Sequence, residues 1–339
     1  MNIEEATKRV EAGKDLSRSE TKALFDEIMQ GKFAAEQLAA FLKALAEKGE
    51  TVDEIVGAAE SMRAVVAQVK PRVKAPLLDI VGTGGDKKNS FNVSTCAAFV
   101  AAGAGCVVAK HGNRSVSSKC GAADVLEKLG VKIDLPAEKN SGLIEKIGIA
   151  FLFAPCHHPA MKYAMPARKM LGIRTIFNIL GPLTNPAGAQ TYLLGVFDAA
   201  LAEKLAKVLA GLKVKRALVV HGTDGFDEIS LCAPTAVFEV QKGKVKKFEI
   251  SPEEFGFRKC GEEELAVSGA DESAQAVMGI LCGKEKGAKR DIVLLNAGAG
   301  IFANGKAKSI AAGIELAKKS IESGAALRKL EQLREESSA

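Results

Sequence analysis

The N-terminal part of the chain carries apolar residues at helical spacing. Leu38, Phe41, Leu42 and Leu45 share one helical face, and Ile55, Val56, Ala59, Met62 and Val66 share another. Start and stop signals frame these runs. Ser17 with Glu20, and Thr51 with Glu54, have capping-box spacing, in which hydroxyl and carboxylate each satisfy an amide that the helix leaves unpaired. Gly31 and Pro71 are natural terminators. Roughly the first 70 residues are therefore expected to be consecutive helices.

After Pro76 the pattern changes to short apolar runs separated by glycines and helical stretches. Residues 77–81, 106–109, 149–153, 217–220 and 292–295 read as strands of a mostly parallel sheet. The rhythm lapses between 155 and 190, where Pro159, Pro166, Pro182 and Pro186 interrupt helical material, and the chain is expected to revisit the helical region near 160–186. Residues 237–240 and 245–250, joined by Gln241-Lys242-Gly243-Lys244, read as a hairpin. The segment 309–336 reads as two helices divided at Gly324. The expected fold class is α/β, with a small α-helical domain over 1–72 and a larger α/β domain with a mostly parallel central sheet over 73–339.

Composition narrows the function classes. Hydrophobic residues make up 47% of the 339, enough for a sizeable core. The longest apolar stretch, 97–109, is broken by glycines and falls short of the roughly 20 residues that span a bilayer, so no membrane partner is expected. The start, Met1-Asn2-Ile3-Glu4-Glu5, is charged and lacks a secretory apolar core, which points to a cytoplasmic location. Seven cysteines, with no Cys-x-x-Cys pair, signal neither a disulfide framework nor a zinc site and read as buried thiols. The net charge of +6 is spread among both signs, and with two Tyr and no Trp there is little to stack bases on. Small anions fit this balance better than nucleic acid, which is not expected as a partner.

Four segments carry candidate chemistry. In Asp79-Ile80-Val81-Gly82-Thr83-Gly84-Gly85-Asp86 a strand runs into glycines, and Asn92-Val93-Ser94-Thr95 then opens an Ala-rich helix. Bare backbone amides and a helix start suit an anion such as diphosphate, and Ser94 or Thr95 could add hydrogen bonds or a hard-metal oxygen. The glycines could also serve packing alone. Lys110-His111-Gly112-Asn113-Arg114-Ser115-Val116-Ser117-Ser118-Lys119 follows the next strand, at the end where open α/β sheets bind ligands. His111 there could act as a base, hold the loop or line a pocket.

Thr223-Asp224-Gly225-Phe226-Asp227-Glu228-Ile229-Ser230 sets adjacent carboxylates beside a glycine turn, a pattern suited to Mg2+ and equally to an ordinary polar turn. The fourth segment runs from Ala154-Pro155-Cys156-His157-His158-Pro159-Ala160-Met161 through Arg168 to Asn178-Ile179-Leu180-Gly181-Pro182-Leu183-Thr184-Asn185-Pro186. Arg168 could clamp a carboxylate with two parallel hydrogen bonds. The adjacent histidines lack the spacing of a zinc site.

Together these segments, in their order and spacing and from the helical start to the C-terminal helices, closely resemble the anthranilate phosphoribosyltransferases. The glycine loop and the Lys-His-Gly-Asn-Arg segment are shared more loosely with pyrimidine nucleoside phosphorylases, the alternative function. The 157–186 stretch and Asp227-Glu228 favour the transferase. The resemblance implies a nucleoside phosphorylase/phosphoribosyltransferase-like fold. It implies that Gly82, Gly85, Asp86, Ser90, Asn92, Val93, Ser94, Thr95, the run Lys110, His111, Gly112, Asn113, Arg114, Ser115, Val116, Ser117 and Ser118, and Ala122 hold phosphoribosyl pyrophosphate (PRPP). Ser94, Asp227 and Glu228 would carry Mg2+, and Lys110 and Arg114 would join the two carboxylates as catalytic groups. Asn113 and Arg168 would face anthranilate, with His111 and His158 near its route. A homodimer through the helical domain is also implied. Cys120 stands where the family often has Ser, and Ala122 where relatives can have a hydroxyl.

Overall fold

The computed structural model of the chain describes residues 1–86, 88–115 and 120–339. Helices Arg18–Met29 and Val52–Val65 begin at the two expected capping boxes, with Glu20 and Glu54 closing back on the amides of Ser17 and Thr51. Such caps contribute about 1 kcal/mol each. Glu54 does more: it is fully buried, accepts from the Leu16 amide at 2.9 Å and pairs with Lys48 at 3.0 Å, tying three helical segments together.

Seven strands form one sheet in the order β3-β2-β1-β4-β5-β6-β7, with β1 Leu77–Gly82, β2 Val107–Gly112, β3 Ile149–Phe153, β4 Thr191–Gly195, β5 Arg216–Gly222, β6 Thr235–Gln241 and β7 Lys244–Ile250. β1 to β5 are mutually parallel, and β6 and β7 are the antiparallel hairpin read from the sequence. From β1 the chain progresses one way to β2 and β3, then returns beside β1 as β4 and progresses the other way. The carboxyl ends of β1 and β4 are thus a topological switch point, where open α/β sheets leave a crevice for ligands. Helix Val93–Gly103 packs on β1 and β2 and helix Ala199–Gly211 on β5 and β6; the right-handed rule for parallel crossovers running in opposite directions along a sheet puts such helices on opposite faces.

Two expectations need correction. Residues 292–295 are not a strand but part of helix Ala288–Asn304, which packs on β1, β4 and β5 and is buried nearly all round. A short apolar run does not by itself distinguish a core strand from one turn of a core helix. β4, which flanks β1 on the side away from β2, has no counterpart among the expected strands. The cysteines also differ from expectation: Cys96, Cys106 and Cys120 are buried, whereas Cys156 and Cys282 are exposed.

Helix Met161–Leu171 packs on helices Ala35–Lys48 and Arg18–Met29, and Phe177 meets Phe25 with ring centroids 5.7 Å apart. The Arg63 guanidinium donates to the Leu183 carbonyl at 2.7 Å. Among the described residues no helix is long and apolar enough to cross a membrane.

Candidate active site

The crevice is built on Gly82–Asp86. Thr83 N donates to Gly195 O at 2.9 Å, which fixes the loop to the end of β4, and Gly84 and Gly85 take the left-handed conformation at φ 67° and 88°. The Gly84 amide donates to Asp227 Oδ2 at 2.7 Å. Asp227 stands where a side chain on Gly82 would be: a Cβ there would come within 2.5 Å of Oδ2. The bare glycine therefore serves contact with the carboxylate as well as the turn.

The Asp227-Glu228 loop is held rigidly. Asn296, from the helix first read as a strand, accepts from Ile229 N and donates to Ile229 O, both at 2.9 Å. Asp224 accepts from the Ser230 hydroxyl and from Phe226 N at 3.3 Å, so it belongs to the turn and not to the site. Burial pushes the Asp227 carboxyl up to about 7, with Asp86 beside it adding to the shift. Glu228 is also raised well above the usual carboxylate range, first by burial and then by Asp227. Two buried carboxylates that resist carrying negative charge, with Asp86 beside them, form a place a divalent cation would relieve. Among the described residues no three metal-binding side chains are packed closely enough to hold an ion unaided. Mg2+ needs no more than one or two such carboxylates, with phosphate and water at its other positions.

At the neighbouring strand end, Lys110, His111 and Gly112 lie inside β2 and not after it. Lys110 is buried, and its ammonium donates to Ile80 O at 2.6 Å and to Ser94 Oγ at 3.2 Å, placing a cation beside the start of helix Val93–Gly103. His111 N donates to buried Asp79, whose other oxygen accepts from Asn185 Nδ2 at 2.7 Å. Asn185 Nδ2 also donates to Ala109 O at 2.8 Å, so the Asn-Pro end of the fourth segment ties β1 to β2.

The histidines form a directed pair. His111 Nδ1 lies 3.0 Å from the Gly181 carbonyl, which only accepts, so Nδ1 carries the proton and Nε2 is the acceptor. His158 Nε2, 3.2 Å away, is then the donor. Burial lowers both histidines, His158 to about 4, so both are neutral near pH 7. The lone pair of His111 is already taken, which leaves it holding the loop and not collecting a proton. His157 turns away to Ala67 O and Asn140.

Residues 74–327 match the a/b domain of a glycosyl transferase family, and residues 4–66 match its helical bundle domain. The anthranilate phosphoribosyltransferase of Desulfatibacillum aliphaticivorans is 52% identical over 329 residues, 97% of each chain. The crystal structure of the Thermus thermophilus anthranilate phosphoribosyltransferase superposes with a TM-score of 0.93 at 43% identity, covering 98% of this chain and 99% of that one. The chain belongs to the anthranilate phosphoribosyltransferase family. The Saccharomyces cerevisiae anthranilate phosphoribosyltransferase, solved in complex with PRPP and Mg, superposes with a TM-score of 0.91 at 30% identity, covering 99% of this chain and 98% of that one.

Of the residues that anthranilate phosphoribosyltransferase resemblance singled out, the fold gathers Gly82, Gly85, Asp86, Ser94, Lys110, Asp227 and Glu228 around the crevice. Ser90 sits in a bridge to Ala266, and the Asn92 side chain accepts from Ser273 Oγ at 2.7 Å and Cys120 Sγ at 3.1 Å. Cys120 thus keeps a hydrogen bond at its position, and Ser273 is a partner the sequence did not mark. Val93 and Thr95 are buried at the helix start; Val93 N is committed to Phe91 O, whereas the Thr95 hydroxyl has no hydrogen-bond partner among the described residues.

Gly112 leaves room for its neighbours: a Cβ on it would lie 2.7 Å from the Phe151 ring and 3.3 Å from Ala122 Cβ. Arg114 is engaged by acids of the helix that follows. Its guanidinium is ion-paired with Asp124 and Glu127, at 2.9 and 2.6 Å, a geometry the sequence reading did not anticipate. Asn113 is exposed and its Oδ1 accepts from Arg114 N, while the Ser115 amide donates to Asp124. Val116, Ser117 and Ser118 lie outside the described residues. Arg168 is half-buried near the Phe177 ring and has no carboxylate partner among the described residues.

Proposed function

We infer that this protein transfers the phosphoribosyl group of PRPP to the amine of anthranilate, giving N-(5-phosphoribosyl)anthranilate and pyrophosphate, a step of tryptophan biosynthesis. The observation that carries the reading is the meeting of Asp86, Asp227 and Glu228 with the glycine loop at the switch point. Phosphate binding alone needs no such carboxylate group, whereas a Mg-diphosphate does. The S. cerevisiae enzyme, solved with PRPP and Mg and also with 4-fluoroanthranilate, supports the same pair of substrates.

We assign the diphosphate to the amides of the glycine loop and the start of helix Val93–Gly103, with Lys110 beside it, and Mg2+ to Asp227, Glu228 and Ser94. Bound there, the ion would neutralise charge on the diphosphate. The chain's own residues position. As the bond from ribose C1 to the diphosphate oxygen breaks, C1 becomes electron-poor, and the amine nitrogen attacks from the opposite face. The resulting anilinium-like nitrogen is acidic enough to lose its proton without a strong base, in keeping with a neutral His111–His158 pair. Juxtaposing the two substrates supplies much of the acceleration.

Arg168 is assigned to the anthranilate carboxylate, because it is a recessed guanidinium that, among the described residues, has no carboxylate partner and makes only one donation, a long contact from Nη1 to Met165 Sδ at 3.9 Å. Arg168→Ala is expected to raise the anthranilate KM by about tenfold or more while leaving the PRPP KM near wild type, read from initial rates with each substrate varied. Equal shifts in both constants would count against the clamp. Phosphorolysis of thymidine or uridine by the wild type would favour the phosphorylase activity instead.

The functional division proposed is a helical unit, 1–72 with the segment near 160–186, facing an α/β unit over 73–339 across the crevice. A homodimer through the helical unit is supported by the exposed apolar side chains of Tyr163, Met165, Met170 and Ile173, clustered along one short stretch. A cytoplasmic location is proposed with it, in keeping with a biosynthetic step on small water-soluble substrates.

A further inference from the structure

The cations around the crevice are not equally available. Lys88 is held by Glu262 at 2.6 Å, Lys110 by Ile80 O and Ser94, and Arg114 by Asp124 and Glu127. Arg174, which neither the motifs nor the family resemblance singled out, is different. Helix Met161–Leu171 ends at Gly172, and two residues later the exposed Arg174 side chain reaches back to the glycine loop. Its Nη2 donates to Gly85 O at 3.2 Å, and its guanidinium lies 4.2 Å from the centroid of the Phe197 ring. No carboxylate pairs with it among the described residues.

These contacts aim the group. Gly85 belongs to the loop after β1 and Phe197 to the turn after β4, so one guanidinium rests on both sides of the switch point. Gly85 makes room for it: a Cβ there would lie 2.2 Å from Nη2. The backbone that follows is anchored, since Thr175 N donates to the Asn178 side chain at 3.0 Å and Thr175 and Ile176 are buried. Stacking on an aromatic face fixes the plane of a guanidinium while leaving its edge free to donate, and Nε and Nη1 have no protein acceptor among the described residues.

We propose that Arg174 is a further contact for the diphosphate of PRPP, neutralising the leaving group from the segment that follows helix Met161–Leu171. The proposal rests on the glycine loop being the diphosphate site. It explains why a cation without a carboxylate partner is held against that loop by a hydrogen bond to Gly85 O and stacking on Phe197, and it divides two guanidiniums that lack a carboxylate partner among the described residues between two anions, Arg174 for diphosphate and Arg168 for carboxylate.

The test is steady-state kinetics of wild type, Arg174→Ala and Arg174→Lys, with pyrophosphate as product inhibitor and thermal melting as a check on the fold. Arg174→Ala should raise the PRPP KM and the pyrophosphate inhibition constant by about tenfold or more, with the anthranilate KM and Tm near wild type. Arg174→Lys should recover only part, because an ammonium keeps the charge but not the planar fork. An unchanged PRPP KM, or both KM values shifting together with a lowered Tm, would overturn the proposal by making Arg174 a packing residue. If Arg174→Ala does not fold, the lysine variant decides by the same split between the two substrates. A wild type that consumes no anthranilate would overturn the reading of the site itself, an outcome distinct from failure of the Arg174 assignment.

Discussion

Asp227→Ala and Glu228→Ala are each expected to lower kcat by on the order of 10²–10³-fold, the scale of removing one preorganised electrostatic contact from a reacting centre. His111→Ala should fall well short of the roughly 10²–10⁴-fold loss that removing a general base brings. The difference follows from what each side chain faces. Asp227 is tied to the Gly84 amide and stands against Gly82, so its oxygen is aimed at the anion loop before any ligand arrives. His111 has both nitrogens engaged, one with a carbonyl and one with His158. Initial rates at saturating substrates decide the matter. Equal losses, or a larger loss at His111, would move the chemistry from charge neutralisation to proton transfer.

Gly195→Ala should be nearly as damaging without touching a functional side chain. Gly195 ends β4 in register with Gly82, and a Cβ on it would lie 1.6 Å from the Asp227 carbonyl oxygen. The obstacle is backbone and not the tip of a flexible side chain, so the Asp227-Glu228 loop has to move. That loop is also pinned by Asn296, which leaves it little freedom to adjust. Overpacking of this kind costs about 1–3 kcal/mol of stability, and displaced carboxylates should take most of the activity with it. Gly142→Ala is the natural control, since nothing lies within 4 Å of the added carbon and the site is inside a helix. It should keep full activity and gain stability of up to about 1 kcal/mol. A Gly195→Ala protein with wild-type kcat and Tm would show that the close approach is not needed to aim Asp227.

How legible this was in the sequence differs from element to element. The capping boxes at Ser17 and Thr51 set helix starts because their signals are local, and the hairpin at 235–250 was readable for the same reason. The run 292–295 was misread and β4 was passed over, since neither periodicity nor composition separates a fully buried strand from a fully buried helix. The motifs that bind and react lie at strand ends and could be named from residue type and order. Their supports could not. Asn296 holds a loop 67 residues away, Asn185 bridges β1 and β2, and Ser273 reaches Asn92 across 181 residues. Nothing in a sequence marks such residues until the fold brings the partners together. Arg114 shows the same limit: its local pattern pointed to a phosphate ligand, and only the fold reveals the acids Asp124 and Glu127 beside it.

The most direct test of the central claim is the loss of anthranilate fluorescence when purified protein is mixed with PRPP and Mg2+, run beside EDTA-treated and Asp227→Ala samples. The account predicts a loss that requires protein, PRPP and Mg2+ together, stops on chelation and is nearly absent in the variant. Unchanged fluorescence in the complete mixture, or an undiminished loss after chelation, would contradict it.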